Sequence, residues 1–109
     1  MYLPKADIYS SLKTLGYFVA QKKPSLFREL PAITFSVSNS INRDLDNNIL
    51  SQNLEVQIDI WADDSVSASN VLSEVENLMR QNFYNMSYSN DVPNNGNVFH
   101  ILTRFVKTI

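Results

Sequence analysis

The chain contains no cysteine. That one absence removes disulfide bonds, thiolate nucleophiles and cysteine-ligated metal centres together, and it is compatible with a reducing compartment. Glycine is scarce as well, with only Gly16 and Gly96 present. Neither stands in a G-x-G or G-K-[ST] setting, so no glycine-rich phosphate loop is available. Histidine occurs once, as His100. A lone histidine without cysteine partners or an H-x-x-x-H spacing reads as an ordinary strand residue rather than a ligand or base. Serines are plentiful, but none lies in G-x-S-x-G. Excess positive charge is lacking too: nine basic against eleven acidic residues give a net charge of −2. No general attraction to nucleic acid or an anionic membrane surface follows from that balance. No apolar run approaches the roughly 20 residues of a membrane span. Met1-Tyr2-Leu3-Pro4-Lys5 has no signal-peptide pattern. The expectation is a soluble protein of the cytoplasm, not an enzyme, with no cofactor and no metal site.

What is present suffices for one folded domain over residues 1–109. The chain is 44% hydrophobic, enough for a modest core. The organising stretch runs from Asn53 to Phe83. Leu54, Val56, Ile58 and Ile60 alternate with Glu55, Gln57 and Asp59, the period-2 pattern of a strand with one buried face. Asp63, Asp64 and Ser65 then offer N-cap groups. A cation site is the alternative use of Asp63-Asp64, and capping accounts for both residues more simply. Ala68, Val71, Leu72, Val75, Leu78 and Met79 form a helical apolar stripe beyond them.

Earlier in the chain, Pro4 to Leu15 reads as a helix with Ile8, Leu12 and Leu15 on one side and Gly16 at its left-handed C′ position. Tyr17 to Ala20 is a short β-rich run, and Ser25 to Pro31 a connector anchored by Leu26, Phe27 and Leu30. Ile33, Phe35 and Val37 open a second strand. Its odd positions continue through Ile41 to Leu45, and the even positions before Leu54 run back to Leu50. A turn at Asp46-Asn47-Asn48 then pairs Leu45 with Leu50, Ile41 with Leu54, Val37 with Ile58 and Phe35 with Ile60. This predicts one long β-hairpin from Ile33 to Trp61, its polar outer half projecting as an arm. After the helix, Tyr84, Met86 and Tyr88 share one strand face. Val92 to Asn97 is turn chemistry. A last strand sets Phe99, Ile101 and Phe105 against His100, Leu102, Arg104 and Val106. The predicted fold is two-layer α+β, in the order α-β-β-β-α-β-β. Its sheet is antiparallel or mixed, with two helices on one face.

Two sets of residues stand out as contact candidates. Asp44, Asp46, Asn47 and Asn48 form the arm tip; they match a calcium loop only superficially, lacking its central glycine and closing glutamate. Trp61 lies in phase with Glu55, Gln57 and Asp59, on the face away from the helices, and Leu102, Arg104 and Val106 share that face. Either this half-apolar face meets a partner, with Trp61 at least partly exposed, or Leu26-Phe27 or the N-terminal segment covers it. Lys22, Lys23 and Arg28 beside Phe27 read as a solvated connector, not a nucleic-acid patch.

Glu29-Leu30-Pro31-Ala32-Ile33-Thr34-Phe35, the Asp44…Asp46-Asn47 tip and Gln57-Ile58-Asp59-Ile60-Trp61-Ala62 resemble a family of small tail-completion proteins of long-tailed bacteriophages and prophages. The helix from Ser69 to Arg80 with Glu74-Val75-Glu76 at its centre, and His100…Arg104-Phe105, fit the same pattern. The resemblance spans about Leu12 to Phe105. It implies a virion structural protein similar to tail terminators and head–tail joining proteins, which assemble as rings, often hexamers, at the head-proximal end of the tail tube. The implied partners are copies of itself, the tail tube protein and the head–tail connector; the implied place is the virion tail, after assembly in the host cytoplasm. The competing class is a small regulatory or ligand-binding module of ferredoxin-like type, which would need a pocket with converging polar groups.

Overall fold

Each apolar alternation becomes a strand, and each apolar stripe a helix. The computed structural model describes residues 2–21, 30–93 and 98–109. The elements are α1 (Lys5–Lys13), β1 (Phe18–Ala20), β2 (Ala32–Arg43), β3 (Ile49–Ala62), α2 (Ser65–Gln81), β4 (Asn85–Val92) and β5 (Phe99–Thr108). They build an α+β fold on one open, mixed sheet in the order β1-β2-β3-β5-β4. The β1–β2 pair is parallel, and the other three pairs are antiparallel.

Both helices add to one core on one side of the sheet. Ile8 and Leu12 of α1 and Ala68, Val71, Val75 and Met79 of α2 cluster with Ile33 and Phe35, with Leu54 through Ile60 at even positions, and with Ile101 and Phe105. The α2 entrance forms as the acidic turn suggests. Asp64 is the N-cap, its carboxylate accepting the Ser67 N–H at 2.7 Å. That hydrogen bond leads the forces that hold the Asp64 carboxyl below its ordinary range. On the exposed side Arg80 pairs with Glu76 one turn earlier. Gly16 has φ +87. It stands one residue later than expected, since α1 ends with Thr14 as its C-cap.

Three local expectations are corrected. The hairpin is real and runs from Ala32 to Ala62, but its register differs by two residues. Val37 faces Val56, Phe35 faces Ile58, Ile33 faces Ile60 and Ile41 faces Gln52. The reason is the loop. Asp44 closes a turn over Asp44–Asn48, and a bulge at Asn42/Arg43 sets Arg43 opposite Ile49. A slip of two keeps every side chain on its own face, so alternation alone cannot detect it. Second, Leu45 and Leu50 do not form a pair; Leu45 is 105% exposed and Leu50 68%. Third, a bulge between Met86 and Tyr88 moves Tyr88 off the core face. Met86 opposes Phe105, whereas Tyr88 opposes Arg104. The expectations for Lys22, Lys23, Pro24, Leu26, Phe27 and Arg28, and for the turn at 94–97, fall outside the described residues.

Candidate interaction surfaces

The arm is the first surface. Beyond Gln52, which exchanges backbone hydrogen bonds with Ile109 at 2.7 and 2.8 Å, β2 and β3 continue without β5 beside them. This extension helps stretch the molecule to 53 × 26 × 25 Å. Its base is held by a buried polar group. Gln52 is 4% exposed, and its amide donates to the Tyr2 carbonyl at 2.6 Å and to Asn39 Oδ1 at 2.9 Å while accepting from the Tyr2 N–H. Buried amides of this kind must be satisfied, and this one ties the N-terminal segment to the arm. Tyr2 in turn donates its hydroxyl to Asp7. That bond, together with burial and the Asp7 charge, pushes the phenol up to about 12.

The arm tip is built by Asp44. Its Oδ1 accepts the N–H groups of Asp46 at 3.0 Å and Asn48 at 2.8 Å. Arg43 donates to the Asn47 carbonyl. Asn47 takes φ +66, a left-handed conformation that asparagine tolerates better than most residues. The Asn48 N–H leads the effects that hold the Asp44 carboxyl below its ordinary range. A depressed folded-state value means the contribution is present above the ordinary carboxylate range. It is lost as pH falls through the depressed value. Asp44→Ala is therefore expected to speed amide exchange at Asp46 and Asn48 by about tenfold or more while leaving the melting temperature of the body essentially unchanged. In the native chain the same acceleration should appear only below the carboxylate range. Hydrogen-exchange mass spectrometry checks both. What this ordered tip presents is apolar: Leu45, Leu50 and Ile49, the last 43% exposed.

The second surface is the sheet face away from the helices. Here the structure overturns one expectation: Trp61 is 5% exposed within a single chain. Its indole N–H donates to Thr34 Oγ1 at 3.0 Å, and its ring stacks on His100 at 3.7 Å and 14°. His100 Nε2 lies 3.5 Å from Asp59 Oδ2. Trp61 is thus a member of a buried cluster on this face and not an exposed interface anchor. Leu102 beside it is half-buried. Arg104 and Val106 remain exposed toward the arm. Arg104 approaches Glu55 at 3.9 Å and the Tyr88 ring at 5.8 Å. The predicted second-face residues therefore divide into a covered half around Trp61 and an open half at Arg104 and Val106.

Sequence reading missed Gln52 and Tyr88. Gln52 carried a usable signal, since a polar residue in core phase between Leu50 and Leu54 implies buried partners. Tyr88 had none, because a single-residue bulge leaves no mark on the alternation around it. A cavity of about 340 Å³ lies between the first turns of α2 and the β4–β5 end, lined by Ser65, Ala68, Asp91, Val92, Phe99 and His100 among others. Among the described residues, no three His, Cys, Asp or Glu side chains converge as metal ligands, and no helix is long and apolar enough to cross a membrane. No protein-family profile matches the chain, and no curated protein matches it significantly.

Proposed function

We propose that the chain is a virion structural subunit of a phage or prophage tail, a tail-completion or head–tail joining protein. It acts by contact, assembling as a ring with copies of itself at the end of the tail tube and meeting the head connector. One observation carries this reading: an ordered arm, fixed at its base by Gln52 and at its tip by Asp44, holds Leu45 and Leu50 out in solvent. Exposed leucines on a pre-organised turn contribute nothing to the stability of their own domain and suit burial against a partner. The family resemblance of the sequence points the same way, and the proposed location follows from it: the virion tail, reached from the host cytoplasm.

The test is removal of the coding sequence from the phage or prophage that carries it. Electron microscopy should then show heads and tails that fail to join. The full chain supplied in trans should restore joining. A variant with the Asp44–Asn48 loop replaced by a two-residue Asn-Gly turn, which is intrinsically favourable, should not. Normal particles without the chain would rule the reading out. A second reading, a small ligand-binding module, is favoured by the 340 Å³ cavity beside α2, which falls in the size range of small-molecule sites. It predicts a ligand-dependent rise in melting temperature and normal tail joining.

A further inference from the structure

The direction of each backbone group in the sheet can be counted from one pair. Gln52 and Ile109 exchange both of their hydrogen bonds. In an antiparallel ladder these pairs alternate, so even residues of β3 aim their backbone groups at β5, and odd residues from Asn53 to Trp61 aim theirs at β2. Their partners on β2 are Ser40, Ser38, Ser36, Thr34 and Ala32. The odd residues of β2 must then point outward. β1 meets that edge only from Ala32 to Thr34. Val37, Asn39 and Ile41 are left presenting N–H and C=O groups to the outside, with no described strand beside them. The same count on β5 sends Ser89 and Asp91 of β4 outward at the opposite edge of the sheet.

Each of these edges keeps a regular run clear of its bulge. Monomeric proteins blunt exposed edges with lysine, proline, bulges or inward charges. From Ala32 to Asn42 β2 contains neither lysine nor proline, and its pairing with β3 is regular until the Asn42/Arg43 bulge. On β4 the run after the Met86/Tyr88 bulge is regular to Val92. The two edges also have opposite polarity. β2 is antiparallel to β3, β3 to β5 and β5 to β4, so β4 runs opposite to β2. In a ring whose axis follows the strands, neighbouring copies share one polarity. The β4 edge of one copy therefore meets the β2 edge of the next in the antiparallel sense, the more stable ladder.

We propose that copies of this chain join by continuing the sheet, with Ser89–Asp91 of β4 in one copy paired to Val37–Ile41 of β2 in the next. The occupant of the β2 edge, open among the described residues, is a second copy of the chain. This rests on the ring reading above and specifies its interface. Ser89 lies level with Phe35 across the sheet, through Thr103 and Ile58, so successive copies step along the strand direction. A stepped sheet closes when its strands tilt, as in a barrel.

Ser89→Pro tests this directly, because proline on an edge strand removes an outward N–H and spares the native ladder. The full chain, alone at high concentration and with purified tail tubes, is followed by sedimentation and hydrogen exchange. Assembly of the native chain should slow exchange at Val37, Asn39, Ile41, Ser89 and Asp91. Ser89→Pro should weaken assembly at least about tenfold with an unchanged circular dichroism spectrum. If that variant misfolds, Ser38→Lys with Ser40→Lys places charge along the β2 edge instead, and the same loss is expected. Assembly that survives these substitutions overturns the edge pairing and leaves the ring reading standing. Protection confined to β2 would assign the edge to a two-fold β2–β2 pair and also overturn it. Absence of assembly under both conditions, with normal particles in the deletion experiment, removes both.

Discussion

Val75→Asp is expected to abolish the folded state. Val75 is 0% exposed and sits mid-stripe on α2 within the apolar cluster over the sheet. Val71, Met79, Ile58 and Phe105 belong to the same cluster, and none of these side chains offers a carboxyl a good hydrogen bond. The substitution removes the transfer energy of a buried valine, about 1.5–3 kcal/mol. It adds the cost of burying a carboxyl without a partner, several kcal/mol more. Small domains hold about 5–15 kcal/mol in all. The variant should be insoluble, or show no cooperative melting by circular dichroism. A soluble Val75→Asp protein melting near the native temperature would mean that α2 presents a different face to the sheet.

Trp61→Ala should be the next most damaging change. It deletes a side chain that is 5% exposed, stacked on His100 and hydrogen-bonded to Thr34. Large aromatic-to-alanine truncations at such sites cost about 3–5 kcal/mol, and this one also leaves the buried Thr34 hydroxyl without its donor. Trp61→Phe separates the terms. It retains the ring against His100 and loses only the indole N–H, so its cost should stay near that of one hydrogen bond, about 1–2 kcal/mol. Urea titration of the three proteins gives the ranking directly. Equal stability of native protein and Trp61→Ala would show that the tryptophan cluster lies on a free surface.

These two sites mark how far the sequence could be read. Val75 was legible because a helical stripe over an alternating strand has one solution: the stripe meets the apolar strand face. The element order and a helix cap within Asp63-Asp64-Ser65 follow from the same short-range chemistry, whereas the choice between an antiparallel and a mixed sheet rested on the parallel β1–β2 pair, a tertiary contact. Trp61 was half legible. Its phase put it on the second face, but phase says nothing about what else lies over that face, so exposure was the wrong inference. The hairpin register failed for a related reason. Alternation fixes a strand to within two residues, and the final choice belonged to Asp44, whose carboxylate gathers the Asp46 and Asn48 N–H groups into a longer loop than a minimal turn. The bulge that turns Tyr88 outward is likewise a decision of two paired strands, not of either alone. As for the interaction surfaces, the arm tip stood out because polar turn residues cluster there. The β2 edge did not, because which backbone groups are left unpaired among the described residues depends on strands far apart in sequence.

Contact, not chemistry, is the central claim, and imaging at the tube end tests it most directly. The purified chain is mixed with tail tubes assembled without it, and the tube ends are averaged by electron microscopy. The account predicts a closed ring of copies at one end only, with the arms engaged and the β2 and β4 edges of neighbours side by side. Tubes left bare, or coated along their length with no ring at the end, would contradict it.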